Sequence, residues 1–97
     1  MRKYGEYFDD VSYVIALSTL HLTKETKDKL DNDTLEEVVF YEKNGYGWFV
    51  YAGSPVTTAT PEDLRECMEY ATAKGIDWIM FDADALTNRN LPIYLEF

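Results

Sequence analysis

Apolar residues run almost unbroken through "VSYVIALS", residues 11–18, a pattern that predicts a central strand covered on both faces. Leu22, Thr26 and Leu30 then recur at four-residue spacing behind a capping-type Thr23. They predict a short, mostly exposed helix over 23–30, ended by Asp31, Asn32 and Asp33, with a second turn through Leu35 left open. "EEVVFYEK", 36–43, and "YGWFVYAG", 46–53, flank Asn44-Gly45, the dipeptide best suited to the positive φ angles of a tight hairpin turn. Gly47 is a candidate bulge. Alternation sends Trp48 and Val50 to one face and Phe49 and Tyr51 to the other, so both faces of the hairpin are apolar or aromatic. One must meet the helices; the other meets a further layer or a partner.

The second helix carries the clearest pattern. Leu64, Cys67, Met68 and Ala71 form one stripe at i, i+3, i+4 and i+7, with Glu62, Glu66 and Glu69 on the outer side. Thr60 is the expected cap, Pro61 the first helical residue and Asp63 the capping-box partner, and Gly75 closes the helix. Residues 76–81 read as a strand, and "LPIYLEF" as a last one, held to an edge by Pro92. The expected fold is α+β: two helices on one face of a mostly antiparallel sheet, in βαββαβ(β) order, the ferredoxin-like split βαβ.

Length and composition narrow this to one domain over residues 1–97, since 97 residues at 46% hydrophobic content bury a single core. Eighteen acidic against nine basic residues give a net charge of −9, which repels polyanions and attracts basic partners. Nucleic acid is thereby disfavoured as a ligand and a basic protein favoured. The lone Cys67 excludes an internal disulfide and fits a reducing compartment. The run from Val11 to Leu17 is too short for a signal-peptide core or a membrane span, so the expectation is a cytoplasmic protein.

"FDADAL", with Asp82 and Asp84 beyond a strand end, resembles the aspartate pair of haloacid-dehalogenase-like phosphatases, and that resemblance implies a magnesium-dependent hydrolase. The pattern departs from the family's: Leu86 stands where its Thr would, Thr87 is one late, and the pair follows a late strand. A calcium loop through Asp82, Asp84 and Asn88 lacks Gly at its sixth position and has Ile93 in place of Glu at its twelfth. The favoured reading is an Asx-type turn solvating the strand end, with no metal and no cofactor, and Asp82 and Asp84 as the alternative metal ligands. His21 has no second histidine to form a zinc cluster, and Ser18 and Thr19 beside it lack an identifiable acid partner. His21 is expected to fill the strand-to-helix connection, and Cys67 to be a small core residue.

"NGYGWFVY" resembles the third-strand octapeptide of RNA-recognition motifs at Gly45, Tyr46, Gly47, Trp48 and Tyr51, which implies base stacking on its rings. Asn44 replaces the basic residue of that motif and Phe49 its aliphatic one. More widely, "STLHLTKET", "YGWFVY" and "WIMFDADALTNRNLPIY" resemble an uncharacterised family of small bacterial proteins from plasmids, prophages and conjugative elements. That resemblance spans Ser18 to Tyr94 and implies accessory, mobile-element biology without assigning catalytic residues.

The leading functional expectation is a small acidic, non-enzymatic protein-binding module, an inhibitor or regulator with a nucleic-acid-mimicking surface. Its candidate contact residues are Glu62, Asp63, Glu66 and Glu69 on the helix ridge and Tyr46, Trp48 and Tyr51 on the hairpin. The alternatives are a single-stranded nucleic-acid binder using those aromatics and a hydrolase at Asp82 and Asp84. A homodimer through an open edge strand is a further expectation. Burial of Trp48 and Tyr51 together would remove the stacking reading.

Overall fold

The computed structural model describes residues 11–44 and 47–95. Its strands are β1 (Val14–Ser18), β2 (Phe40–Glu42), β3 (Gly47–Tyr51) and β4 (Trp78–Asp82), and its helices α1 (Lys24–Asp31) and α2 (Glu62–Ala73). A 3₁₀ turn, Thr19–His21, links β1 to α1. The fold is therefore α+β with elements in βαββαβ order. The sheet order is β1-β4-β3-β2; β1 runs parallel to β4, while β4–β3 and β3–β2 are antiparallel. The sheet is mixed, and the ferredoxin-like arrangement expected from the element order is not borne out.

β1 was expected at the centre, yet among the described residues it lies at an edge, and β4 holds the middle. From Val14 to Leu17 alternate residues turn inward, Leu17 being buried and Val14 and Ala16 exposed; Ser18, at the strand end, is buried as well. The apolar run reflects two apolar faces rather than two covered ones. Ile79 and Phe81 of β4, Trp48 and Val50 of β3 and Leu17 of β1 share the inward face. They join Leu22 and Leu30 from around α1 and Leu64, Cys67, Met68 and Ala71 from α2 in one core, so both helices cover the same side of the sheet.

The helix ends follow local chemistry. The Thr23 hydroxyl accepts the Thr26 amide at 3.2 Å and caps α1 as expected, and Asn32 and a left-handed Asp33 (φ 53°) end it. α2 closes on Gly75 (φ 74°) with Gly75 N–H on Thr72 O and Ile76 N–H on Ala71 O, the paired bonds of a Schellman end. Its start differs from expectation. Pro61 occupies the cap position without a side-chain cap, and the Thr60 hydroxyl accepts the Thr57 amide instead.

The hairpin is shorter than the sequence predicts. Residues 36–38 form a turn in which Val38 N–H reaches Leu35 O, and the Val39 amide goes to the Ser54 hydroxyl. Leu35 and Val38 both enter the core; three apart, they would point to opposite faces of a strand. β3 stops at Tyr51 because Ser54 folds back, its N–H and its hydroxyl both donating to Tyr51 O. Asn44 adopts the expected positive φ of 47°; Gly45 and Tyr46 lie outside the described residues. The last predicted strand is also absent from the described residues: 91–95 join no ladder. Their anchors are Tyr94 N–H on Leu20 O and Pro92 O on His21.

Candidate functional site

The acidic ridge is narrower than the sequence implies. Glu62 and Glu69 are exposed and Glu66 half-buried, but Asp63 is buried and turned inward. Its Oδ2 accepts the Thr23 amide and its Oδ1 the Thr26 hydroxyl, both at 2.7 Å. Asp63 is thus a brace that joins the N-terminal turns of the two helices, and its burial is explained by the two donors that replace water. Arg65 sits within the ridge with a guanidinium nitrogen 3.7 Å from the Glu62 carboxylate, which dilutes the negative charge at that end. Asp63 and the half-buried Glu66 also act on the core. Burial first, then these two carboxylates, push the Cys67 thiol up to about 12, leaving it protonated and a poor nucleophile at neutral pH. Burial, then Glu66 and Asp63, likewise raise the Tyr94 hydroxyl above its ordinary range.

At the end of β4, Asp82 Oδ1 accepts the Asp84 amide at 2.8 Å, the geometry of an Asx turn, and Oδ2 lies 3.2 Å from the Lys43 ammonium. The amide bond and then Lys43 hold the Asp82 carboxyl below its ordinary value. Both of its oxygens are engaged by donors from this chain. Among the described residues no group of three or more histidine, cysteine or acidic side chains is placed to hold a metal ion.

His21 is buried with both ring nitrogens committed. Nδ1–H donates to Pro92 O and Nε2 accepts the Asn88 amide, each at 2.8 Å; since Asn88 N–H can only donate, the imidazole is the neutral Nδ1–H tautomer. Two residues on, the loop meets α2: the side-chain amides of Asn88 and Asn90 donate to the Tyr70 hydroxyl at 3.1 and 3.3 Å. Those bonds, Asn90's foremost, lower the Tyr70 phenol below its ordinary range, and the Lys74 ammonium lies 5.0 Å from the ring centre. His21, Asn88, Asn90 and Tyr70 together clamp the segment after β4. A depression of about 350 Å³ lies over Leu35 and Val38, with Lys29, Glu36, Glu37 and Thr60 also in its lining.

The hairpin aromatics part company. Trp48 is 7% exposed, in the core beneath the helices, whereas Tyr51 is 38% exposed on the opposite face. Tyr46 lies outside the described residues. Trp48 is therefore unavailable for stacking, and the strand order also departs from the topology that the octapeptide resemblance implied.

What the sequence reading missed is the company Tyr51 keeps. Register places Tyr51 beside Trp78, Phe49 beside both Met80 and Tyr41, and Ala16 and Val14 beyond Met80 and Trp78. Trp78 is central: its ring lies 5.2 Å from that of Tyr51 and 5.9 Å from that of Tyr41, both tilted. Tyr41 is 61% exposed and Val14 51%. Among the described residues no helix covers this face. The alternation within "WIMF", Trp78 and Met80 against Ile79 and Phe81, carried the signal, but it required knowing that β4 lies beside β3.

No curated protein and no solved structure matches the chain, and among the described residues no helix is long and apolar enough to cross a membrane. Residues 14–96 match the C-terminal domain of a family of unknown function, DUF5983. The match runs from the first residue of β1 through the clamped segment after β4, and the chain belongs to that family.

Proposed function

We propose that this protein is a non-enzymatic protein-binding module whose contact surface is the open face of the sheet. The observation that carries the reading is the cluster of Tyr41, Tyr51 and Trp78, set among Phe49, Met80, Ala16 and Val14 on a face that no helix covers among the described residues. Aromatic side chains supply large contact areas at small entropic cost, and an apolar patch rimmed by polar groups is the usual form of a protein interface. The ridge of Glu62, Glu66 and Glu69 is a secondary surface, suited to imitating phosphates if the target is a nucleic-acid enzyme. An accessory regulator or inhibitor of cytoplasmic, mobile-element origin fits such a module and forms part of the proposal.

Two other readings draw less support. A nucleic-acid binder would use the same open face but loses Trp48 to the core and works against a charge of −9. A hydrolase at Asp82 and Asp84 would need Asp82 to exchange Lys43 and the Asp84 amide for a metal. Photo-cross-linking distinguishes the two surfaces. A benzophenone amino acid replacing Tyr41 or Tyr51 is expected to capture one discrete protein from host lysate, and the same group replacing Glu69 to capture none or far less. Capture from position 69 alone would reject the sheet face as the contact surface.

A further inference from the structure

We infer that the sheet face is built for an extended, positively charged polypeptide segment whose arginine side chains lie on the rings of Tyr41, Tyr51 and Trp78. This rests on the reading of that face as the contact surface and adds the chemistry of what covers it. An aromatic ring presents negative potential on its face and attracts a guanidinium within about 6 Å of its centre. Arginine also stacks on rings and is less strongly hydrated than lysine, which suits it to a half-dry surface. The fixed charges agree. Asp77, whose Oδ2 accepts the Tyr13 amide, immediately precedes Trp78, whereas Asp82, four residues beyond Trp78 on the same face, is already paired with Lys43 and adds little net charge there. The whole chain adds a field of −9.

The same charge argues against the other occupants. A second copy would bring another −9 to the face, and single-stranded nucleic acid a row of phosphates. The dimensions suit a strand-like ligand. The three rings lie on β2, β3 and β4; three strands at ~4.8 Å spacing and five residues at ~3.3 Å give a surface roughly 15 Å square, the reach of about five extended residues with alternate side chains facing the sheet.

The test uses the full chain and four defined probes: twelve-residue peptides alternating Arg–Val, Lys–Val and Glu–Val, and a twelve-nucleotide oligothymidylate. Binding is followed by amide and indole NMR shifts. The Arg–Val peptide is expected to bind most tightly, about tenfold above Lys–Val, with Glu–Val and the oligonucleotide undetected. Shifts should centre on Tyr41, Tyr51 and the Trp78 indole. Replacing both exposed tyrosines, Tyr41→Ala with Tyr51→Ala, should weaken binding about tenfold, whereas Tyr41→Phe with Tyr51→Phe keeps the rings and should retain it; the amide spectrum verifies that both variants stay folded. Equal binding of Glu–Val at the same residues would overturn the basic partner and leave the contact face standing. Tighter binding of oligothymidylate would replace the peptide by nucleic acid. Shifts confined to Glu62, Glu66 and Glu69 would overturn the inference together with the sheet-face reading.

Discussion

His21 shows how one side chain can settle a stretch of backbone that belongs to no regular element. Its Nδ1–H and Nε2 are matched to Pro92 O and the Asn88 amide, and the ring is buried beneath them. Sequence reasoning placed His21 in the strand-to-helix connection, which is where it sits; its partners, 67 and 71 residues away, were invisible because nothing local encodes them. His21→Ala leaves the Asn88 amide and the Pro92 carbonyl without partners and opens a cavity where the ring was. The expected loss is about 3 kcal/mol, read from urea unfolding at constant m-value. A second readout is specific to the clamp: the Tyr94 amide, bonded to Leu20 O, should exchange with solvent far faster than the amides of β4. A variant as stable as the parent, with Tyr94 still protected, would mean that the ring holds nothing together. Asp63 is the same kind of residue. Its spacing within the helix suggested a capping box and an outer ridge, while its burial follows from Thr23 and Thr26, which the sequence places 37 or more residues earlier.

At the level of elements, the junction of β3 with β4 tolerates least change. Gly47 lies at φ 148°, and a Cβ built there would stand 1.7 Å from the Phe81 carbonyl oxygen, a backbone atom that cannot move without displacing the central strand. Gly47→Ala is therefore expected to cost on the order of 3 kcal/mol through strain and lost pairing. The chemical shifts of Phe81 and Asp82, opposite Trp48 and Gly47, should move most; an alanine accommodated within about 0.5 kcal/mol, the scatter of ordinary surface substitutions, would refute the close approach. The elements that were legible from sequence are those whose signals are local. The α1 cap at Thr23, the α2 stripe, the Gly75 end and the left-handed Asn44 all stand as read. Pairing was less legible. β1 and β4 are joined in parallel across 64 residues, and no pattern within "VSYVIALS" distinguishes an edge strand with an apolar open face from a central one. Residues 36–38 misled for a related reason: they lead into the β-prone run at 38–41 but form a turn that buries Leu35 and Val38, where tertiary burial outweighs propensity.

Over the whole molecule, two properties pull in opposite directions: an open aromatic face that favours association and a charge of −9 that opposes it between identical copies. Their balance depends on salt, because the Debye length falls from about 30 Å at 0.01 M to about 3 Å at 1 M, whereas the attraction between apolar surfaces is not screened. Self-association should therefore be negligible at low ionic strength and rise with added sodium chloride. Binding to a positively charged partner should show the reverse trend in its association rate, with dissociation governed by the rings and little affected. Sedimentation equilibrium across that salt range tests the first half, and Tyr41→Glu identifies the surface responsible. Position 41 is 61% exposed, so the added charge should leave the fold intact while abolishing association at every salt concentration. Association that persists in the variant would place the adhesive surface elsewhere, at a β-edge for example. Association that weakens with salt would show that opposite charges, rather than Tyr41, Tyr51 and Trp78, draw the copies together.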